Sequence, residues 1–223
     1  MPSAPKSTPL LRYHRALSKH YGPLGWWPGE TPLEVMVGAV LVQNTAWTNV
    51  EKAIANLKRE RLLSLKKLHQ ISHDELAALI QPAGYFNLKS KRLKSLVGAV
   101  MDDWRGDLSR MFAAPTGELR AWLLGVHGVG KETADSILCY AAGHPVFVVD
   151  AYTRRILSRH ALVDEEIGYD HLQDFCTGQL PQDLATYNEF HAQIVHVGKD
   201  YCRSKPRCEG CPLSPFFQTP PAR

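Results

Sequence analysis

LLGVHGVGKETADSIL, residues 123–138, sets the reading of the whole chain. Two apolar runs with helical spacing flank a Gly128-Val129-Gly130 turn, and Lys131 and Glu132 follow it directly. A Gly-x-Gly turn that opens a helix exposes backbone N–H groups at the positive end of the helix dipole, a ready site for an anion such as phosphate. No strand pattern precedes the turn and the spacing is not Gly-x-Gly-x-x-Gly, so a dinucleotide-binding turn is excluded. An ordinary corner between two helices would use the same residues, and the turn alone leaves both readings open.

Outward from the turn, most of the chain has apolar residues at i, i+3, i+4 and i+7. The clearest runs are 31–45, 48–60, 72–84, 88–104 and 116–126, and several begin with Ser or Thr followed by an acidic residue, as helix N-termini do. HPVFVVD, 144–150, is the single β-like run, equally readable as a buried extended connection. No solenoid period is present. The fold class is all-α. A second glycine turn, QPAGYFNLKSKRL, places Gly84 and Asn87 between helices with lysines following.

With 223 residues the chain holds one large domain or two small ones. The net charge of +4 favours a polyanion only weakly. The placement of the basic runs at 58–67, 89–94, 154–159 and 199–207 says more. Such runs are commonly solvated helix faces, but several beside glycine turns point to phosphate contacts. No apolar run approaches the roughly 18–20 residues of a membrane span. The start, MPSAPKSTPL, lacks a signal-peptide core and reads as a frayed tail, which makes the cytoplasm the expected compartment. Cys139 and Cys176, isolated in helix-like stretches, are expected to be buried thiols.

Residues 125–156, GVHGVGKETADSILCYAAGHPVFVVDAYTRRI, resemble the helix-hairpin-helix of the endonuclease III superfamily of DNA glycosylases. The likeness extends from EVMVGAVLVQNT through YFNLKSKRL to the cysteine tail. It implies two helical domains with a DNA-binding cleft between them. One is a barrel of six helices over 26–133 that ends in the hairpin; the other joins 1–25 to 134–223. It also implies a monomer acting on double-stranded DNA, nucleoid-associated through that DNA, with Gly128, Val129, Gly130 and Lys131 holding a phosphate and Lys89 and Lys91 adding backbone contacts. Gln43 matches the residue that wedges into the gap left by a flipped nucleotide. Asp150, eighteen residues after Glu132, matches the catalytic aspartate at a helix start. There the dipole and nearby amides favour a carboxylate that can stabilise the oxocarbenium-like sugar and orient or deprotonate water.

In the bifunctional branch, the residue two past the second hairpin glycine is the lysine that forms a Schiff base. Here that position is Glu132, and Lys131 lies about 100° away around a helix. The resemblance therefore implies a monofunctional glycosylase that leaves an abasic site. Trp26, Trp27, Pro28 and Trp47 would border the base pocket, and together with Gly-Lys-Glu they are similar to the bacterial 3-methyladenine glycosylases of the endonuclease III type. A cationic alkylated purine suits aromatic walls, with a cation–π contribution of roughly 0.5–2 kcal/mol, and Glu132 adds charge of the right sign. Mismatch-specific and oxidised-pyrimidine glycosylases, and a non-catalytic helix-hairpin-helix module, are the competing classes.

The tail, YCRSKPRCEGCPLSPFF, carries Cys202, Cys208 and Cys211, with Phe217 where the family's fourth iron–sulfur cysteine would stand. A [4Fe–4S] cluster with another fourth ligand, a zinc site completed by His191 or His196, and a lost metal site are all compatible with three thiols.

Overall fold

The computed structural model describes residues 7–26 and 29–217. Among the described residues every regular element is helical, and no helix is long and apolar enough to cross a membrane. The chain divides into two units, Pro28–His144 on one side and Met1–Trp27 with Pro145–Arg223 on the other.

In the first unit, α2 (Pro32–Leu41) is the central helix. Thr31 caps it by accepting from the Glu34 N–H at 3.2 Å, and Pro32 starts it with a preset φ. Leu33 to Leu41 are all buried, as expected of a helix that is apolar on every side. The buried Glu34 is paired at 2.9 Å with Lys58, which also holds Glu30, tying α3 (Trp47–Arg59) to the start of α2. Helices α4 (Leu65–Gln70) and α5 (His73–Leu79) follow, the latter opened by a Ser72–Glu75 capping box. They pack on α6 (Phe86–Trp104), which buries Leu93, Leu96, Val97 and Val100 along one stripe.

After α7 (Leu108–Phe112), α8 (Thr116–Gly125) and α9 (Lys131–Ser136) form the hairpin around the Gly128-Val129-Gly130 turn. Arg120 on α8 donates to the fully buried Asp135 on α9 at 2.6 and 3.1 Å, a two-pronged pair that keeps the buried carboxylate compensated. α9 then widens into a π-helical turn, Ile137–Ala141, closed by Ala142 N–H donating to Ile137 C=O at 3.0 Å. α9 and this turn pack on α2. For that reason the unit extends to His144 instead of ending at 133. His144 is itself anchored to Thr116 Oγ1 at 2.7 Å and to the Phe112 carbonyl at 2.9 Å.

The second unit combines α1 (Pro9–Tyr21) with α10 (Ala151–Arg159), α11 (Tyr169–Thr177) and α12 (Leu184–Asp200). Its core gathers Leu10, Tyr13, Leu17, Phe147, Ile156 and Phe190, each large apolar side chain contributing about 1.5–3 kcal/mol on burial. The run 145–149 is extended but joins no sheet. The Gln173 side chain donates to the Phe147 carbonyl at 2.7 Å, and Val149 N–H donates to the Tyr169 hydroxyl at 3.4 Å. Side chains of α11 thus satisfy backbone groups that a neighbouring strand would otherwise have to meet.

Candidate active site

Asp150 terminates the extended run and caps α10. Its Oδ1 accepts from Thr153 N–H at 2.7 Å and from Thr153 Oγ1 at 2.8 Å, while Oδ2 stands 3.6 Å from His191 Nε2. The Asp150 side chain is 11% exposed and that of His191 5%. Burial pushes the Asp150 carboxyl up, but the His191 contact and the Thr153 donors outweigh it and hold it below the usual carboxylate range. The result is a nearly dry carboxylate that keeps its charge. His191, a candidate zinc ligand from the sequence, is the neighbour of Asp150 that the sequence does not single out. It lies on the buried stripe of α12 with Tyr187, Phe190 and Ile194, and that spacing is the signal that pointed it inward.

In the other unit, Gly128 has φ +86°, a conformation that favours glycine, and Gly130 caps α9. Val129 between them is buried, whereas Lys131 and Glu132 are both exposed at the first two positions of α9. Gln43 lies in the turn after α2, not within a helix. Its Nε2 donates to the Gly128 carbonyl at 3.2 Å and to Thr133 Oγ1 at 2.9 Å, and Arg92 donates to its Oε1. The structure thereby joins Gln43 to the hairpin.

Lys89 is not a DNA contact: it is 1% exposed, and its ammonium donates to the carbonyls of Leu41 at 2.8 Å and Ala83 at 2.7 Å. There it satisfies the end of α2 and of the short 3₁₀ turn Gln81–Ala83. Burial, then the Arg92 guanidinium, lower its pKa to about 8. Lys91 is exposed. Of the aromatic residues, Trp47 is half-buried at the start of α3. Trp26 is half-buried in the other unit, edge-on to His196 with ring centroids 6.0 Å apart and with Lys199 Nζ 5.8 Å from its ring centre. Trp27 and Pro28 lie outside the described residues.

Residues 37–182, hairpin and Asp150 included, match the HhH-GPD superfamily of base excision DNA repair proteins. The chain belongs to this superfamily. A protein of Methanocaldococcus jannaschii named as a candidate DNA repair glycosylase is 46% identical over 209 residues, 93% of this chain and 94% of that one. A thymine/uracil-DNA glycosylase of Pyrobaculum aerophilum is 26% identical, covering 94% of this chain and 92% of the relative. Among solved structures, the 3-methyladenine DNA glycosylase MagIII of H. pylori, bound to 1,N6-ethenoadenine, is 31% identical. It superposes with a TM-score of 0.75, over 85% of this chain and 97% of that one. An endonuclease III–DNA complex at 20% identity and TM-score 0.80, covering 93% and 94%, shares the fold. This HhH-GPD chain is thus a DNA repair glycosylase of the endonuclease III-like, helix-hairpin-helix type.

The resemblance implies an iron–sulfur loop in the tail, where three of the four expected cysteines stand. Cys202, Cys208, Cys211, His160 and Phe217 line a cavity of about 160 Å³. Phe217 stacks on His160 with centroids 4.1 Å apart and planes at 20°. His160 Nδ1 is hydrogen-bonded to the Tyr13 hydroxyl at 2.7 Å, and burial lowers its pKa to about 4, so the ring is neutral. Among the described residues no three His, Cys, Asp or Glu side chains converge as ligands to one metal ion. The histidine at the cavity is His160, not His191, which faces Asp150, or His196, which faces Trp26. With a phenyl ring at the fourth position, the donor set does not fit a four-thiolate cluster. Arg155 and Arg159 hold this loop by donating to the carbonyls of Cys202, Arg203 and Ser204. Cys139 and Cys176 are buried, and burial raises both thiols, Cys139 to about 12.

Proposed function

We propose that the protein is a monofunctional DNA glycosylase that removes alkylated purines such as 3-methyladenine and leaves an abasic site. The observation that carries the chemistry is Asp150: a carboxylate nearly out of water, fixed by two Thr153 donors, with His191 3.6 Å away, and held below the usual carboxylate range. As the glycosidic bond breaks, positive charge grows on the sugar, and a prepositioned anion stabilises it without reorganisation. The same oxygen pair can accept a proton from the attacking water. Fixed geometry matters here because Thr153 occupies Oδ1 and leaves Oδ2 on the His191 side.

The position of a Schiff-base lysine is taken by Glu132, and a carboxylate forms no imine, so strand cleavage by that route is absent. A base alkylated at N3 of adenine is cationic and departs without a strong general acid. Trp26 in one unit and Trp47 in the other are each, taken separately, a candidate stacking face, and the Lys199 ammonium 5.8 Å from the Trp26 ring centre is an internal example of the cation–aromatic contact such a base would make. The 31% identity to a 3-methyladenine glycosylase supports the substrate class.

The test is base release from duplexes carrying 3-methyladenine, 1,N6-ethenoadenine, uracil, a T·G mismatch or an oxidised pyrimidine, each reaction divided and half treated with mild alkali. We expect breaks on the alkylated duplexes only after alkali. Release confined to uracil and T·G would assign the thymine/uracil class instead. Breaks without alkali, with a borohydride-trapped adduct, would mean that another lysine acts as nucleophile.

A further inference from the structure

We infer that Arg92 is a positioning residue for DNA engagement, coupling the hairpin turn to Gln43. This rests on the DNA-glycosylase reading above. Arg92 extends from α6, and two features of its placement are independent of each other. Its guanidinium donates to Gln43 Oε1. Its aliphatic stem fills the space that a Cβ at Gly128 would need, lying well inside contact distance of that point. One side chain therefore touches both the glycine of the turn and the glutamine beside it.

The Gln43 amide has two N–H donors and one carbonyl. The donors go to Gly128 and Thr133 and the carbonyl accepts from Arg92, so the side chain has one orientation. The backbone before it is held from the same helix, because Lys89 donates to the Leu41 carbonyl two residues upstream. α6 thus fixes Gln43 twice, through its backbone by Lys89 and through its amide by Arg92. Removing the guanidinium leaves Gln43 held by its N–H bonds to Gly128 and to Thr133 of α9, with its carbonyl no longer held from α6, which loosens the amide at little cost to the hydrophobic core. A fixed wedge enters a stack with less loss of side-chain freedom than a mobile one. The expected consequence is selective: recognition of a site where a nucleotide has left the stack suffers, and general duplex binding does not.

Arg92→Met retains the stem against Gly128 and deletes only the donors. The measurement is fluorescence-anisotropy affinity for a duplex with a tetrahydrofuran abasic-site analogue against the same duplex undamaged, for wild type, Arg92→Met, Gln43→Ala and the double variant. Melting temperature and circular dichroism serve as folding controls. We expect Arg92→Met to lose about tenfold in abasic-site preference and no more than about threefold in undamaged-duplex affinity. In the Gln43→Ala background the second substitution should add less than twofold, since both act through one amide. Abasic-site preference preserved within twofold in a folded Arg92→Met, or additive losses in the double variant, overturns the inference. A wild-type protein without any abasic-site preference would instead defeat the DNA-repair reading on which it rests.

Discussion

Lys89 and Lys91 sit two positions apart on α6 and end in opposite environments, one buried against two carbonyls and the other in water. A basic run reads as a solvated or phosphate-facing surface, yet the same residues contain the contrary signal. Lys89, Leu93, Leu96, Val97 and Val100 fall at i, i+4, i+7, i+8 and i+11, a single helical stripe. Lys89 has a folded pKa of about 8 against an unfolded value of about 10.4, so the unfolded chain binds this proton more tightly. Its contribution to stability accordingly rises as pH increases between those two values. Lys89→Met should cost about 1–3 kcal/mol in urea denaturation at pH 7, by orphaning two buried carbonyls, and should flatten that rise. Unchanged stability with weakened DNA binding would instead make Lys89 a phosphate contact. Asp150 follows the same sign at the acid end of the scale. Its folded pKa lies below the unfolded one, so its stabilising contribution is present at neutral pH and is lost as pH falls through the folded value.

Among the elements, the hairpin and the extended run 145–149 show what local sequence does and does not determine. The hairpin was legible because Gly128-Val129-Gly130 interrupts two apolar helices, and its φ of +86° at Gly128 is a local demand. What encloses the turn is not local. The Arg92 stem comes from α6, and Gly128→Ala would combine a left-handed conformation with a Cβ driven into that stem. We expect Gly128→Ala to destabilise the protein by about 2–4 kcal/mol in urea denaturation. Arg92→Ala should relieve part of the loss; equal losses in both backgrounds would mean that the turn conformation alone is responsible. The extended run was ambiguous from sequence because its β-like composition reports burial, while the absence of a sheet depends on Gln173 and Tyr169, more than twenty residues away or close to it. The short helix α4 was hidden in the 58–67 charge run, where Lys67, though exposed, donates to the Arg61 carbonyl, and Lys94 of α6 donates to the Ile71 carbonyl just beyond its end.

At the scale of the whole molecule, the all-α class and the superfamily follow from periodicity and the 125–156 signature. The distribution of charge is less readable. Arg92, Lys94, Arg155 and Arg159 are engaged with side-chain or backbone oxygens of the protein, so the basic runs overstate the number of cations left for phosphates. The candidate site was legible where a residue type and its place in a motif coincide, as for Asp150. It was not where the partner arrives from a distant helix, as for His191 on α12. The role proposed for Asp150 depends on its charge, and Asn is its cleanest replacement because Asn caps helices as well as Asp does and preserves the Thr153 contact. The decisive measurement is single-turnover release of 3-methyladenine from duplex DNA by wild type and Asp150→Asn at matched, saturating enzyme. We expect a fall of roughly 10²–10⁴-fold in the release rate with duplex affinity and melting temperature nearly unchanged. Release by Asp150→Asn within about tenfold of wild type would show that the carboxylate does not carry the reaction.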